Sequence, residues 1–135
     1  MADGNHHPTE SAIQEGTRNL LENCVRLEPD QTLLIVLEDG RLGYFDDAVG
    51  QYVADQAATM GAQVHRLIAP RIEGPERAPE LIKTALMVAD HTIFLARIGD
   101  QMRFYPLPGA GSKTMCYALD TRILGSGACL MPYHL

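Results

Sequence analysis

Several things are scarce in this chain, and each scarcity removes a class of protein. There are only three cysteines, Cys24, Cys116 and Cys129, at unrelated spacings. The number is odd and none forms a C-x-x-C pair. No apolar run approaches the ~20 residues of a membrane span. The opening stretch, Met1 to His7, is polar and lacks the apolar core of a secretory signal. Reduced thiols in the cytoplasm are therefore the expectation. The eleven Lys and Arg residues are scattered from Arg18 to Arg122, and the net charge is −6. Nucleic acid draws on a clustered positive field, which is missing. No repeat or low-complexity stretch is present.

What remains is an ordinary globular composition, 46% apolar and 21% charged over 135 residues, enough for one domain with one core. Residues 1–10 read as a flexible tail, in which His6-His7 is a solvated pair, and residues 11–135 as a single Rossmann-like α/β domain. Ser11-Ala12-Ile13-Gln14 fits a capping box, followed by the stripe Ile13, Leu20, Leu21, Cys24 and Val25, with Pro29 ending that helix. Gln31 to Leu37 is a continuous apolar run, as in a strand buried on both faces of a parallel sheet. Asp46 and Asp47 offer an N-cap to a second helix that Gly61 terminates. A second strand spans Val64 to Ile68. After a Pro- and Gly-rich loop from Arg71 to Pro79, a third helix turns Leu81, Ile82, Ala85, Leu86 and Ala89 inward. A third strand runs from Thr92 to Ile98, a short helix over Asp100 to Tyr105, and a fourth strand from Lys113 to Leu119. The alternation predicts a three-layer sandwich with a mainly parallel sheet of about four strands. Ligands in such sheets sit at the carboxyl ends of the strands. Here those ends are Glu38–Phe45, Ala69–Glu73, Arg97–Arg103 and Asp120–Gly127.

Several motifs invite chemistry and fall short of it. Pro108-Gly109-Ala110-Gly111-Ser112-Lys113-Thr114 imitates a phosphate loop, yet lacks glycine directly before Lys-Thr and precedes a strand instead of a helix. The first strand-to-helix turn holds only Gly40-x-x-Gly43 where a dinucleotide fingerprint needs three glycines. Gly125-Ser126-Gly127 is not a nucleophile elbow. His65, His91 and His134 are isolated from one another in sequence and read as structural. Cys116 reads as a small buried apolar residue. The most suggestive group is Arg97-x-x-Asp100-x-x-Arg103 at the ligand edge. Two guanidinium groups there can take a carboxylate bidentately. The competing reading is an ion pair of Asp100 with Arg97 or Arg103 that holds the turn. Arg97, Asp100 and Arg103 are the substrate-binding candidates; no catalytic or metal-ligating residue is assigned. The apolar residues after Asp120, from Ile123 to Leu135, either dock on another copy or pack back on the sheet.

Three phrases carry a family resemblance over roughly residues 15 to 120. They are Asn19–Val36 with its Leu-Glu-Pro-Asp-Gln turn, Ala57-Ala58-Thr59-Met60-Gly61-Ala62 before strand two, and Val88-Ala89-Asp90-His91-Thr92-Ile93 into strand three. In these the chain resembles the N-terminal region of the aminopeptidase T family, the thermophilic leucyl aminopeptidases, which also includes 2,5-dihydroxypyridine dioxygenase-like members. The resemblance implies an N-terminal piece of a longer metal-dependent enzyme, a hydrolase or related oxygenase. This piece would shape the cleft for a small-molecule or peptide-like substrate and help form a homodimer. The family's two-metal site, built of Glu, His and Asp, lies in a C-terminal domain, so no cofactor is expected in this chain and a divalent metal is expected in that missing part. The family's Thr- and His-rich turn after strand three is replaced here by Gly99-Asp100-Gln101-Met102. The alternative is a stand-alone α/β module that binds a small anion or a partner, with neither nucleic acid nor membrane as a target.

Overall fold

The computed structural model describes residues 9–39, 41, 43, 45–70, 79–102, 105–118 and 120–125. His6, His7, Arg103, Ser126, Gly127, Cys129 and His134 lie outside the described residues, as does most of the final segment.

Chain entry is capped by Thr9, whose hydroxyl accepts from the Ala12 N–H at 3.0 Å, so α1 spans Glu10–Asn19. The expected cap at Ser11 is two residues late, because a hydroxyl reaches the third N–H ahead of it and Thr9 gets there first. The helical stripe then continues as a π-helical segment, Leu20–Val25, and Arg26 closes it in the left-handed region at φ 61°. The helix thus stops before Pro29. The wider turn still buries Leu20, Leu21 and Val25. Asp30 and Gln31 then tie two connections together, Asp30 N–H donating to Gly61 O and Gln63 N–H to Gln31 O.

The first strand, β1, spans Thr32–Glu38, and α2 spans Asp47–Thr59 with Asp46 as its N-cap. The second strand, β2, is Gln63–Ala69; α3 is Glu80–Val88; β3 is His91–Leu95. A short α4, Ile98–Met102, leads to β4 at Ser112–Met115 and to α5 at Thr121–Leu124. All pairings are parallel and the order is β2-β1-β3-β4. The fold is therefore the expected α/β one, with a four-strand parallel sheet. Strands three and four are shorter than their apolar runs, because Ile98 belongs to α4 and Ala118 is buried beyond the end of β4.

Side-chain alternation assigns the layers. Leu37 meets Gly50 of α2, where a Cβ would come within 2.6 Å of the leucine methyl. Phe94 pairs with Val36, one step along and so on the other face. It meets Gly99 of α4, where a Cβ would lie 2.4 Å from that of Phe94. Both glycines thus let a helix approach the sheet. In α3 only Ile82 and Leu86 are fully inward; Leu81, expected inside, is 72% exposed because it lies about 100° round the helix from Ile82. The final segment, as far as Gly125, packs back: Leu124 is fully buried and α5 rests on α1 and α2.

One core group is chemically out of place. The Thr92 hydroxyl is buried with no hydrogen-bond partner. An unsatisfied buried hydroxyl costs ~1–3 kcal/mol of desolvation. Thr92→Val is isosteric and should raise unfolding stability by about 1 kcal/mol in urea melts; a loss of that size would show that the hydroxyl has a partner.

Candidate functional site

The strand order reverses direction once. The chain leaves β1 toward β2 but leaves β3 toward β4, so the crevice between the carboxyl ends of β1 and β3 is the switch point. Glu38 is the last residue of β1, and Arg97 follows the end of β3 by two residues. They meet across the crevice. Arg97 Nε and Nη2 donate to the two Glu38 oxygens at 3.0 and 2.8 Å, and the Arg97 backbone N–H adds a third bond at 3.0 Å. Glu38 is 8% exposed and the Arg97 side chain 42%. A carboxylate this deep is tolerated because paired donors replace its water.

This pair lines a cavity of about 220 Å³. Its other walls are Ala69 and Pro70 from the end of β2, and Ala96, Ile98 and Gln101 from the end of β3 and α4. Three of the four strand ends expected to carry function therefore converge. Of the fourth, the described residues do not line the cavity: Asp120 caps α5, accepting from Ile123 N–H at 3.0 Å.

The expected cluster is rearranged. Arg97 turns to Glu38, not to Asp100. Asp100 accepts from the Tyr117 hydroxyl at 2.7 Å and is exposed. Three-residue spacing on a helix brings side chains together, but Arg97 precedes α4, which starts at Ile98, so helical spacing does not govern it. Arg103 lies outside the described residues. Glu38 was not singled out in the sequence. Its signal was an acidic residue ending a buried strand, at a position where the pattern leaves it little solvent.

The other candidates are satisfied locally. The Lys113 ammonium donates to the carbonyls of Tyr105 at 2.8 Å and Met102 at 3.3 Å, and burial lowers its pKa. It braces the α4–β4 connection, as a cation at a helix C-terminus does. Asp39 chelates Arg41 beside the crevice, and those hydrogen bonds hold its pKa down at about 2. A second cleft, about 170 Å³, lies between α1 and α2; there Tyr52 donates to Glu10 at 2.5 Å, a bond that raises the phenol pKa. Cys116 is buried, while His65 is exposed on β2. Among the described residues no three His, Cys, Asp or Glu side chains converge as metal ligands. Nor is any described helix long and apolar enough to cross a membrane.

No family model matches the chain, and no curated protein does. Solved structures do. The chain is similar to 2,5-dihydroxypyridine dioxygenase from Pseudomonas putida KT2440, at 16% identity and a TM-score of 0.50, over 64% of this chain and 28% of that one. It is also similar to alanine–glyoxylate aminotransferase from Nostoc sp., at 18% identity and a TM-score of 0.38, over 70% and 24% of the two chains. Ureidoglycine–glyoxylate aminotransferase from Bacillus subtilis gives 21% identity, a TM-score of 0.38, and 75% and 23% coverage. The chain thus spans less than a third of the length of each of these proteins. The dioxygenase likeness establishes a distant relationship of fold alone.

Removing one partner of a mostly buried pair leaves the other uncompensated. Arg97→Met should lower stability by roughly 1.5–3 kcal/mol, the range for hydrogen bonds to charged groups. Glu38→Gln combined with Arg97→Met should recover part of that loss, measured by urea unfolding of all four forms. Additive losses would mean that the two side chains are not coupled.

Proposed function

We propose that this domain is the N-terminal, cleft-forming and dimerising part of a longer metal-dependent enzyme, aminopeptidase-like or a related oxygenase, and that it supplies a substrate wall without the metal. The observation that carries this reading is the cavity at the switch point, where a buried carboxylate fixes a half-exposed guanidinium. The fold likeness to a much longer dioxygenase supports it.

The described residues do not fit a catalytic metal, since no three candidate ligands converge. A divalent site generally takes three or more, each with an orienting partner. Any metal of the parent enzyme is therefore assigned to another part of it, and no step is routed through this chain. What these residues can do is orient. Glu38 holds the Arg97 side chain through Nε and Nη2, which fixes the plane of the guanidinium against the cavity. Ala69, Pro70, Ala96 and Ile98 supply apolar walls and Gln101 an amide. That lining suits a small ring or a peptide-like group with a carbonyl or carboxylate end. Asp100 and Arg103 stay candidates for contact with the same substrate on their place in the sequence alone.

A second reading treats the cavity as the small-anion site of a self-sufficient module, with Arg97 as its cation. The native protein separates the two. Isolated from its source cell with an antibody to this domain, it should be larger than the present chain and carry a stoichiometric divalent metal. A product of this chain's own mass, without metal, would overturn the enzyme reading. In the intact enzyme, Arg97→Lys should raise KM about tenfold with kcat little changed, because lysine loses the planar two-pronged contact. An unchanged KM would remove Arg97 from the substrate wall.

A further inference from the structure

The amino edge of the same sheet holds a second group of reactive side chains. His91 opens β3, Ser112 opens β4, and the two are register partners on neighbouring strands. The Ser112 hydroxyl lies 2.6 Å from His91 Nδ1. On the far side of the ring, His91 Nε2 lies 2.7 Å from Gln31 Oε1. Gln31 Oε1 also accepts the backbone N–H of Glu28, at 2.9 Å.

That last bond decides where the imidazole proton sits. An atom that accepts a backbone N–H is the amide oxygen, and an amide oxygen has no proton to give. Nε2 must then be the donor to Gln31. In the neutral ring this leaves Nδ1 unprotonated, with its lone pair aimed at the Ser112 hydroxyl proton. A tie between strands needs only a contact; here the network also selects the tautomer of a general base. The backbone is fixed as well. Ser112 N–H donates to Asp90 O at 3.1 Å, and Gly111 sits so close that a Cβ there would come within 2.0 Å of that oxygen. The neighbouring charges are occupied: the Asp90 carboxylate accepts Thr32 N–H at 2.8 Å, and Lys113 reaches for the Tyr105 carbonyl. Ser112 is exposed, so a small acyl donor has access.

We propose that Ser112 and His91 form a nucleophile–base pair, positioned by Gln31, that accepts an acyl group from a small activated ester. This is separate from the switch-point cavity and stands whether or not that cavity binds substrate. Ser112 Oγ attacks the ester carbonyl carbon and its proton passes to His91 Nδ1. The bond to the leaving oxygen breaks, and that oxygen takes the proton from Nδ1. A water molecule, deprotonated by the same nitrogen, then releases the carboxylic acid and restores the hydroxyl.

The test uses the whole chain with p-nitrophenyl acetate, and a fluorophosphonate probe in parallel, with peptide mapping by mass spectrometry. Label should accumulate on Ser112 ahead of Ser11 and Ser126. Ser112→Ala should abolish it. His91→Gln, which keeps a polar contact but not the base, should slow it about a hundredfold, within the range of general-base catalysis. Gln31→Glu, a stronger acceptor for Nε2–H, should speed it. Labelling at Ser112 that is no faster than at the other serines overturns the proposal, as does a folded His91→Gln variant that reacts at the wild-type rate. Should His91→Gln fail to fold by circular dichroism, Gln31→Glu decides, and unchanged or slower labelling with that variant is again fatal.

Discussion

Everything at the carboxyl edge of the sheet depends on one ion pair that joins residues far apart in sequence. Glu38 ends β1 and Arg97 lies two residues past the end of β3, the two strands between which the chain changes direction. A parallel sheet leaves that crevice open, since each crossover helix moves away from it on its own side. Bridging it with apolar side chains would fill it. Bridging it with a buried carboxylate and a guanidinium lines it with polar groups instead. The net charge of the pair is zero, which separates this site from a phosphate cradle. The acidic turn that follows β1, with Asp39, Asp46 and Asp47 near the start of α2, works in the same direction. It places carboxylates where a nucleotide-binding fold would place phosphate.

The pair also explains why α4 begins where it does. The Arg97 backbone N–H is drawn to Glu38, so the chain turns out of β3 early, and Ile98 starts a helix where its apolar run predicts strand. Gly99 then permits the close seat on Phe94 and Met115. Lys113 completes the arrangement from the next strand by bonding the carbonyls at the far end of α4. The loop that looks like a phosphate motif is in this sense an internal brace.

The elements were legible in the sequence because parallel strands buried on both faces are nearly pure apolar runs, and Leu33 to Leu37 is such a run. Element order then fixes most of the topology through crossover handedness. Caps and ends were less legible. Thr9 caps the helix two residues ahead of Ser11, and the π-helical stretch at Leu20–Val25 has no pattern distinct from an α-helix. The strand ends named from the sequence do line a cavity, but the ion pair within it was not legible. Arg97 was visible, whereas its partner is 59 residues away in sequence, and no local spacing rule reaches that far. The Arg97–Asp100 pairing fails because helical spacing does not govern Arg97, which precedes α4; Asp100 takes the Tyr117 hydroxyl.

The two edges of the sheet show opposite solutions to burying polar groups. At the carboxyl edge a charged pair is held by charge-assisted hydrogen bonds, strong in a low dielectric and sensitive to loss of either member. At the amino edge Gln31, His91 and Ser112 form a neutral chain of hydrogen bonds, in which each group sets the proton position of the next. A neutral chain has little Coulomb energy to lose, so it tolerates solvent and can stand on an exposed rim. It can also pass a proton, which the paired Glu38 and Arg97 are not arranged to do, since Arg97 does not give up its charge. The first edge thus fixes the direction of a charged group, whereas the second fixes the position of a proton.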